Sequence, residues 1–219
     1  MEQTIKILIY IHAFFGGLGL ITGLISIFVK KGGLNHKKTG KVFSYSMVLS
    51  SLISLFVARM PGHENLFLFL IGVFTIYLVL AGNRALTLKS KIKPKADRVD
   101  KSISGAMLLA SVAMLVIGGI GMMQKVDQSI LYLFFGGFGA FMSLKDFQTF
   151  RIFTHQKNAW LLSHLGRMVG ALIASVTAFL VVGIHIGTTL VWMMPTILGT
   201  AFILYWNRKF TKGKMLQVA

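Results

Sequence analysis

The chain of 219 residues is 55% hydrophobic and 13% charged, with a mean hydropathy of +0.73, which excludes an ordinary soluble domain. Its 23 Lys+Arg against 6 Asp+Glu give a net charge of +17. These basic residues lie in short segments between apolar runs rather than along one face, so they do not indicate nucleic-acid binding.

Seven apolar segments are each long enough to cross a hydrocarbon core of ~30 Å at about 1.5 Å per residue. The first, from Ile7 to Val29, has no charged residue and no obvious cleavage site, which predicts a retained helix rather than a signal peptide. The predicted spans cover residues 6–29, 41–60, 64–84, 102–123, 128–147, 158–182 and 187–207. Because the connections are short, we expect a single all-α domain over residues 1–219, a polytopic transmembrane helical bundle.

Basic residues accumulate in every second connection. The loops after the first, third and fifth spans and the C-terminus are rich in Lys and Arg, whereas the opposite side holds only Lys6, Arg59 and Lys125. Since such an excess marks the cytoplasmic side, we predict an N-terminus outside and a C-terminus inside, in a bacterial inner membrane. The cytoplasmic basic loops, including 86–101, are expected to contact anionic lipids.

Three Gly-Gly-x-Gly segments begin at Gly16, Gly118 and Gly136, each within an apolar span. A nucleotide-binding interpretation fails because no strand, turn or acidic partner accompanies them. Small residues let helices approach closely, so these segments predict helix–helix contacts.

The six histidines carry the main chemical signal. The predicted topology places three towards the outer side and three towards the inner side: His12, His63 and His185, and His36, His155 and His164. Only His12 and His164 lie inside apolar spans, where a polar ring is expected to face the bundle interior. Arg167 lies one turn after His164 on the same helical face and needs an acceptor or an anionic group.

Imidazole is a common ligand of haem iron, zinc and copper. An inner haem would lie between His164 and His36 or His155, and an outer one between His12 and His63 or His185. Such a bundle would pass electrons across the membrane. A zinc or copper site formed by His12, His63 and His185, with Glu64 nearby, is the weaker alternative.

Two other function classes remain open. A small-molecule transporter would use Tyr77, Arg167 and the histidines to line a pathway, although no paired charges and no clear inverted repeat support it. Alternatively, the histidines are purely structural. No nucleophile set for hydrolysis is present, and Asp146 is expected to neutralise Arg151 or Arg84 rather than to act as a base.

Three motifs together resemble a family of bacterial multi-pass membrane proteins catalogued as a domain of unknown function. They are His12 in the first span, the segment HKKTGKVF at 36–43, and His164-Leu165-Gly166-Arg167-Met168. The resemblance covers nearly the whole chain and implies no activity, but it raises His12, His36 and His164 above the other histidines. The most specific prediction is a histidine-ligated redox or metal-binding protein resembling cytochromes b. Its inner site would be formed by His36 and His164 beside Arg167, with haem b as cofactor and zinc or copper as the alternative.

Overall fold

The computed structural model describes residues 2–88, 95–152, 158–186 and 188–211. Over these residues the chain forms seven α-helices and no strand. They are α1 (Glu2–Phe28), α2 (Leu34–Val57), α3 (Leu66–Ala85), α4 (Arg98–Met123), α5 (Ser129–Ile152), α6 (Ala159–Ala178) and α7 (Thr189–Thr211). A 3-10 turn, Leu86–Leu88, continues α3, and a π turn, Phe179–Gly183, continues α6. All seven helices are long and apolar enough to cross a membrane, which confirms the predicted all-α multi-pass membrane fold.

Three helices begin before their predicted apolar spans, α1 and α4 by four residues and α2 by seven. Helix α2 begins at Leu34, with Lys37 exposed on its first turn, because long lysine side chains reach polar surroundings while their backbone stays helical. Helix α4 begins at Arg98 with a capping box. The Asp97 carboxylate accepts from the backbone N–H of Asp100, and the Asp100 carboxylate accepts from that of Asp97.

The two ends of the bundle differ in charge. The turn after α1, the C-terminal ends of α3, α5 and α7 and the N-terminal ends of α4 and α6 lie at one end, which we name the basic end. The turns 58–65 and 124–128 and residues 184–186 lie at the far end. Parts of the predicted basic loops, residues 89–94, 153–157 and 212–219, lie outside the described residues, and so does His155. Which end faces the cytoplasm stays a prediction.

Helices α3 and α6 pack against each other at the centre of the bundle. Helix α1 packs mainly on α2, and α4 packs mainly on α5. Leu78 and Val79 of α3 are completely buried. Helix α7 packs on α6 and leaves most of its surface exposed. The most enclosed part of the molecule therefore lies between α3 and α6.

Glycines mark the close contact between α4 and α5. A Cβ added at Gly118 would lie 2.9 Å from the backbone nitrogen of Leu133, and one added at Gly136 would lie 2.9 Å from a side chain of α4. At the next residues, Gly119 and Gly137, an added Cβ would meet nothing within 4 Å. The first glycine of each segment thus faces the partner helix, as the predicted helix packing requires.

Candidate functional site

Two histidines near the basic end are held by the same kind of hydrogen bond. His36 of α2 donates from Nδ1 to the backbone oxygen of Ser26 in α1 at 3.1 Å, and His164 of α6 donates from Nδ1 to that of Gly82 in α3 at 2.8 Å. Because a carbonyl oxygen only accepts, Nδ1 carries the proton in each ring. Nε2 of the neutral ring then carries a lone pair, and within the described part of the chain neither Nε2 has a hydrogen-bond partner. Metal-ligating histidines have this arrangement.

The two rings lie in one region of the bundle. His36 is on α2 and His164 is on α6, both near the basic end, and a positive charge on one would repel a positive charge on the other. Both side chains are half-buried. Lys31, in the turn between α1 and α2, donates from Nζ to the carbonyl of Ser26 at 3.1 Å and also to that of Ile27. Partial burial lowers the pKa of Lys31. Lys31 and His36 together satisfy carbonyls at the end of α1.

The histidines towards the far end are placed differently. His12 is half-buried, with Nδ1 2.9 Å from both the carbonyl oxygen and Oγ of Ser50 in α2. His63 and His185 are exposed in the turns before α3 and α7. Among residues 2–88, 95–152, 158–186 and 188–211, no group of three or more His, Asp or Glu side chains is arranged to hold a metal ion. The outer zinc or copper site stays a prediction.

Arg167 finds its acceptor inside the bundle. Its Nη2 donates to Oδ1 of Asp146 in α5 at 2.5 Å and to the carbonyl oxygen of Met142 at 2.7 Å. The two charged side chains are only 5% and 6% exposed. The expectation that Asp146 neutralises Arg151 or Arg84 was therefore wrong, because this carboxylate faces α6 rather than the basic end.

Two hydroxyl groups complete the surroundings of the carboxylate. Tyr77 of α3 donates to Oδ2 of Asp146 at 2.6 Å, and Ser104 of α4 donates to the same oxygen at 3.0 Å. Nε of Arg167 in turn donates to the Tyr77 oxygen at 3.2 Å. Helices α3, α4, α5 and α6 thus contribute one buried side chain each. We name these four residues the buried polar cluster.

The buried polar cluster lies deeper than His36. Asp146 is six residues before the end of α5, and Arg167 is eight residues after the start of α6. At about 1.5 Å per residue, these positions are ~9–12 Å from the basic end of their helices. His36 is two residues and His164 five residues from that end of their helices. The cluster is therefore deeper than His36, while His164 lies at nearly the same depth as Asp146.

A small cavity joins the buried polar cluster to the basic end. Its volume is about 10 Å³, which is close to the least space that holds one water molecule. Asp146 and Ser104 line its deep side, and Arg84, Asp100 and Ser163 line it towards the basic end. Nε of Arg84 donates to the buried carboxylate of Asp100 at 2.7 Å.

No protein-family model, curated protein or solved structure matches this chain. The histidines and the buried polar cluster carry the polar chemistry of its interior. Of the residues predicted for an inner site, His36 and His164 both lie near the basic end, and Arg167 lies about one helical turn deeper than His164, against α3 and α5. Sequence reasoning missed Ser104 altogether and did not connect Tyr77 with Asp146.

Proposed function

We propose that this multi-pass membrane protein binds a haem or a metal ion through His36 and His164 near the basic end. One observation supports the proposal. Each ring donates from Nδ1 to a backbone carbonyl, which leaves the Nε2 lone pair available as a ligand in a fixed ring. Two imidazoles would be enough to hold haem b iron, whereas zinc or copper needs further ligands. Bound haem would supply one-electron transfer.

Arg167 supports His164 in this proposal rather than touching the cofactor. Its guanidinium is already bonded to Asp146 and Tyr77. Gly82 accepts from His164, and a Cβ added at Gly82 would lie 3.1 Å from Cβ of Arg167. Arg167 and His164 therefore share one close contact with α3, and the ion pair holds α6 at the rotation that aims His164 towards Gly82.

The experiment that tests the proposed function is a visible absorption spectrum of the detergent-purified protein, oxidised and then reduced with dithionite, with metal analysis of the same sample. We expect a Soret band that shifts on reduction, or bound copper or zinc in a fixed ratio to protein. A featureless spectrum and no bound metal, from cells supplied with haem and metals, would contradict the proposal. The histidines would then be structural.

Replacing His164 identifies the ligand. We expect His164→Ala to lower cofactor occupancy strongly because it removes one donor, whereas His63→Ala, at an exposed far-end position, keeps wild-type occupancy. Added imidazole should restore part of the occupancy of His164→Ala, because it supplies the missing donor. Equal occupancy in the two variants, measured per folded protein, would remove His164 from the site.

We also propose that anionic lipids contact the basic end. Lys37, Lys38 and Lys41 are exposed at the start of α2, and near such a surface each basic residue is worth about 1 kcal/mol of attraction to anionic headgroups. The triple variant Lys37→Gln/Lys38→Gln/Lys41→Gln should therefore co-purify with less phosphatidylglycerol than wild type. Mass spectrometry of the bound lipid measures this. An unchanged lipid content would contradict this contact.

A further inference from the structure

Burying the charges of the buried polar cluster costs desolvation free energy, and packing alone gives no reason for that cost. A buried ion pair must offset the desolvation of both charges, and apolar side chains of similar volume often stabilise a core equally well. Ionisable side chains inside a membrane span are therefore candidate functional groups. In the proposed histidine site the Asp146 carboxylate acts only through its ion pair with Arg167, and its own bonds go to Arg167, Tyr77 and Ser104.

The size of the adjoining cavity limits what can reach Asp146. A volume of about 10 Å³ suits one water molecule and excludes an organic solute. The cavity is bounded by Asp146 at its deep side and by Arg84, whose side chain is 31% exposed, at the basic end. A proton carried by one water molecule is the species that fits. We propose that Asp146 is a protonation site that exchanges its proton with the aqueous phase at the basic end through this cavity.

The transfer step involves protons only. A hydronium ion at the basic end gives a proton to the cavity water, which passes one on to Ser104 or directly to Asp146. Ser104 lines the cavity and donates to Oδ2 of Asp146, so its hydroxyl accepts a proton from the water while it transfers its own proton to Asp146. An O–H bond forms on the carboxylate, a water molecule is left behind, and no electron moves. The net charge of the buried polar cluster rises from zero to plus one.

Protonation changes the contacts of Arg167. The neutral Asp146 carboxyl keeps its place but loses the charge attraction to the guanidinium, whose Nη2 retains its bond to the Met142 carbonyl. The groups that face Asp146 are Arg167 from α6 and the Tyr77 hydroxyl from α3, while Arg84 and Asp100 lie across the cavity.

Infrared difference spectra between neutral and acid pH test the proposal on the full chain in phosphatidylcholine vesicles. We expect a C=O stretching band of a protonated carboxyl that disappears in Asp146→Asn and persists in Asp127→Asn, an exposed far-end carboxylate. The band should shift in D₂O, because its proton comes from solvent. In Arg167→Gln the band should still appear, because the carboxyl group that binds the proton is unchanged.

Access through the cavity is tested at Ser163, which lines the cavity without bonding to Asp146. Ser163→Leu fills that space and should slow the appearance of the band after a pH jump, whereas Ser163→Ala should not. Asp146→Asn leaves Arg167 unpaired, so the double variant Asp146→Asn/Arg167→Gln serves as a second band-free reference if the single variant does not fold.

Three results would overturn the inference. A carboxyl band that persists in the Asp146 variants, or the absence of any band in Arg167→Gln, would exclude Asp146 as the protonation site. Equal rates in Ser163→Leu and wild type would exclude this path. None of these measurements depends on bound haem or metal, so they test the protonation of Asp146 independently of the histidine site.

Discussion

The Asp146 carboxylate accepts hydrogen bonds from three helices. Because it is buried, these bonds take the place of the water that would otherwise solvate its charge. The sequence correctly predicts that Arg167 needs an acceptor. It does not identify Asp146 as that acceptor. An almost wholly apolar helix has little amphipathic periodicity, so the sequence does not show which of its faces points into the bundle. One signal was present: Asp146 is the only acidic residue within the predicted spans apart from Glu64 at the edge of one. Matching it to the arginine deep in another span would have found the pair.

Removing one partner of this ion pair should destabilise the protein strongly. We expect Asp146→Ala or Arg167→Met to lower the free energy of unfolding by about 3–5 kcal/mol, because each leaves one buried charge uncompensated. The double variant should cost less than the sum of the two. Unfolding in a mixed detergent titration measures these differences, with the exposed Asp127→Ala as control. Strictly additive losses would show that the two charges are not coupled.

At the scale of the helices, two adjacent glycines of α4 face different surroundings: Gly118 faces α5 and Gly119 faces open space. Gly118→Leu places a side chain against the backbone of Leu133, which cannot move aside without shifting α5. We expect it to lower the free energy of unfolding by about 1–3 kcal/mol through overpacking. Gly119→Leu, one residue away in open space, should have little effect. Equal effects of the two substitutions on detergent unfolding would contradict the packing seen here.

The helices themselves are largely predictable, and their ends less so. Apolar runs identify all seven, because crossing a membrane imposes a length and a composition on each of them. The start of α2 was missed because Lys37, Lys38 and Lys41 look like a loop, although their long side chains allow the backbone to stay helical. The start of α4 was missed because its capping box lies outside the apolar run.

For the whole molecule, the orientation in the membrane is the main untested prediction. The chain contains no cysteine, so each introduced thiol is unique. We expect a membrane-impermeant maleimide to label Asp127→Cys in intact cells, and to label Lys38→Cys only after the membrane is permeabilised, because lysine-rich loops favour the cytoplasmic side. Both positions are exposed, at opposite ends of the bundle. The reverse labelling pattern would overturn the predicted orientation.

The order of the charged residues along the chain has a consequence for how the protein is made. During synthesis, α5 with Asp146 emerges from the ribosome before Arg167 does, since Arg167 is 21 residues later in the chain. On insertion scales, a lone charge costs up to about 2.5–3.5 kcal/mol at the centre of a bilayer helix and less towards its ends. Entry of α5 and α6 together, as a helical hairpin with the charges already paired, avoids most of that cost. A nascent chain that stops before Arg167 should therefore hold α5 in the translocation channel rather than release it into lipid.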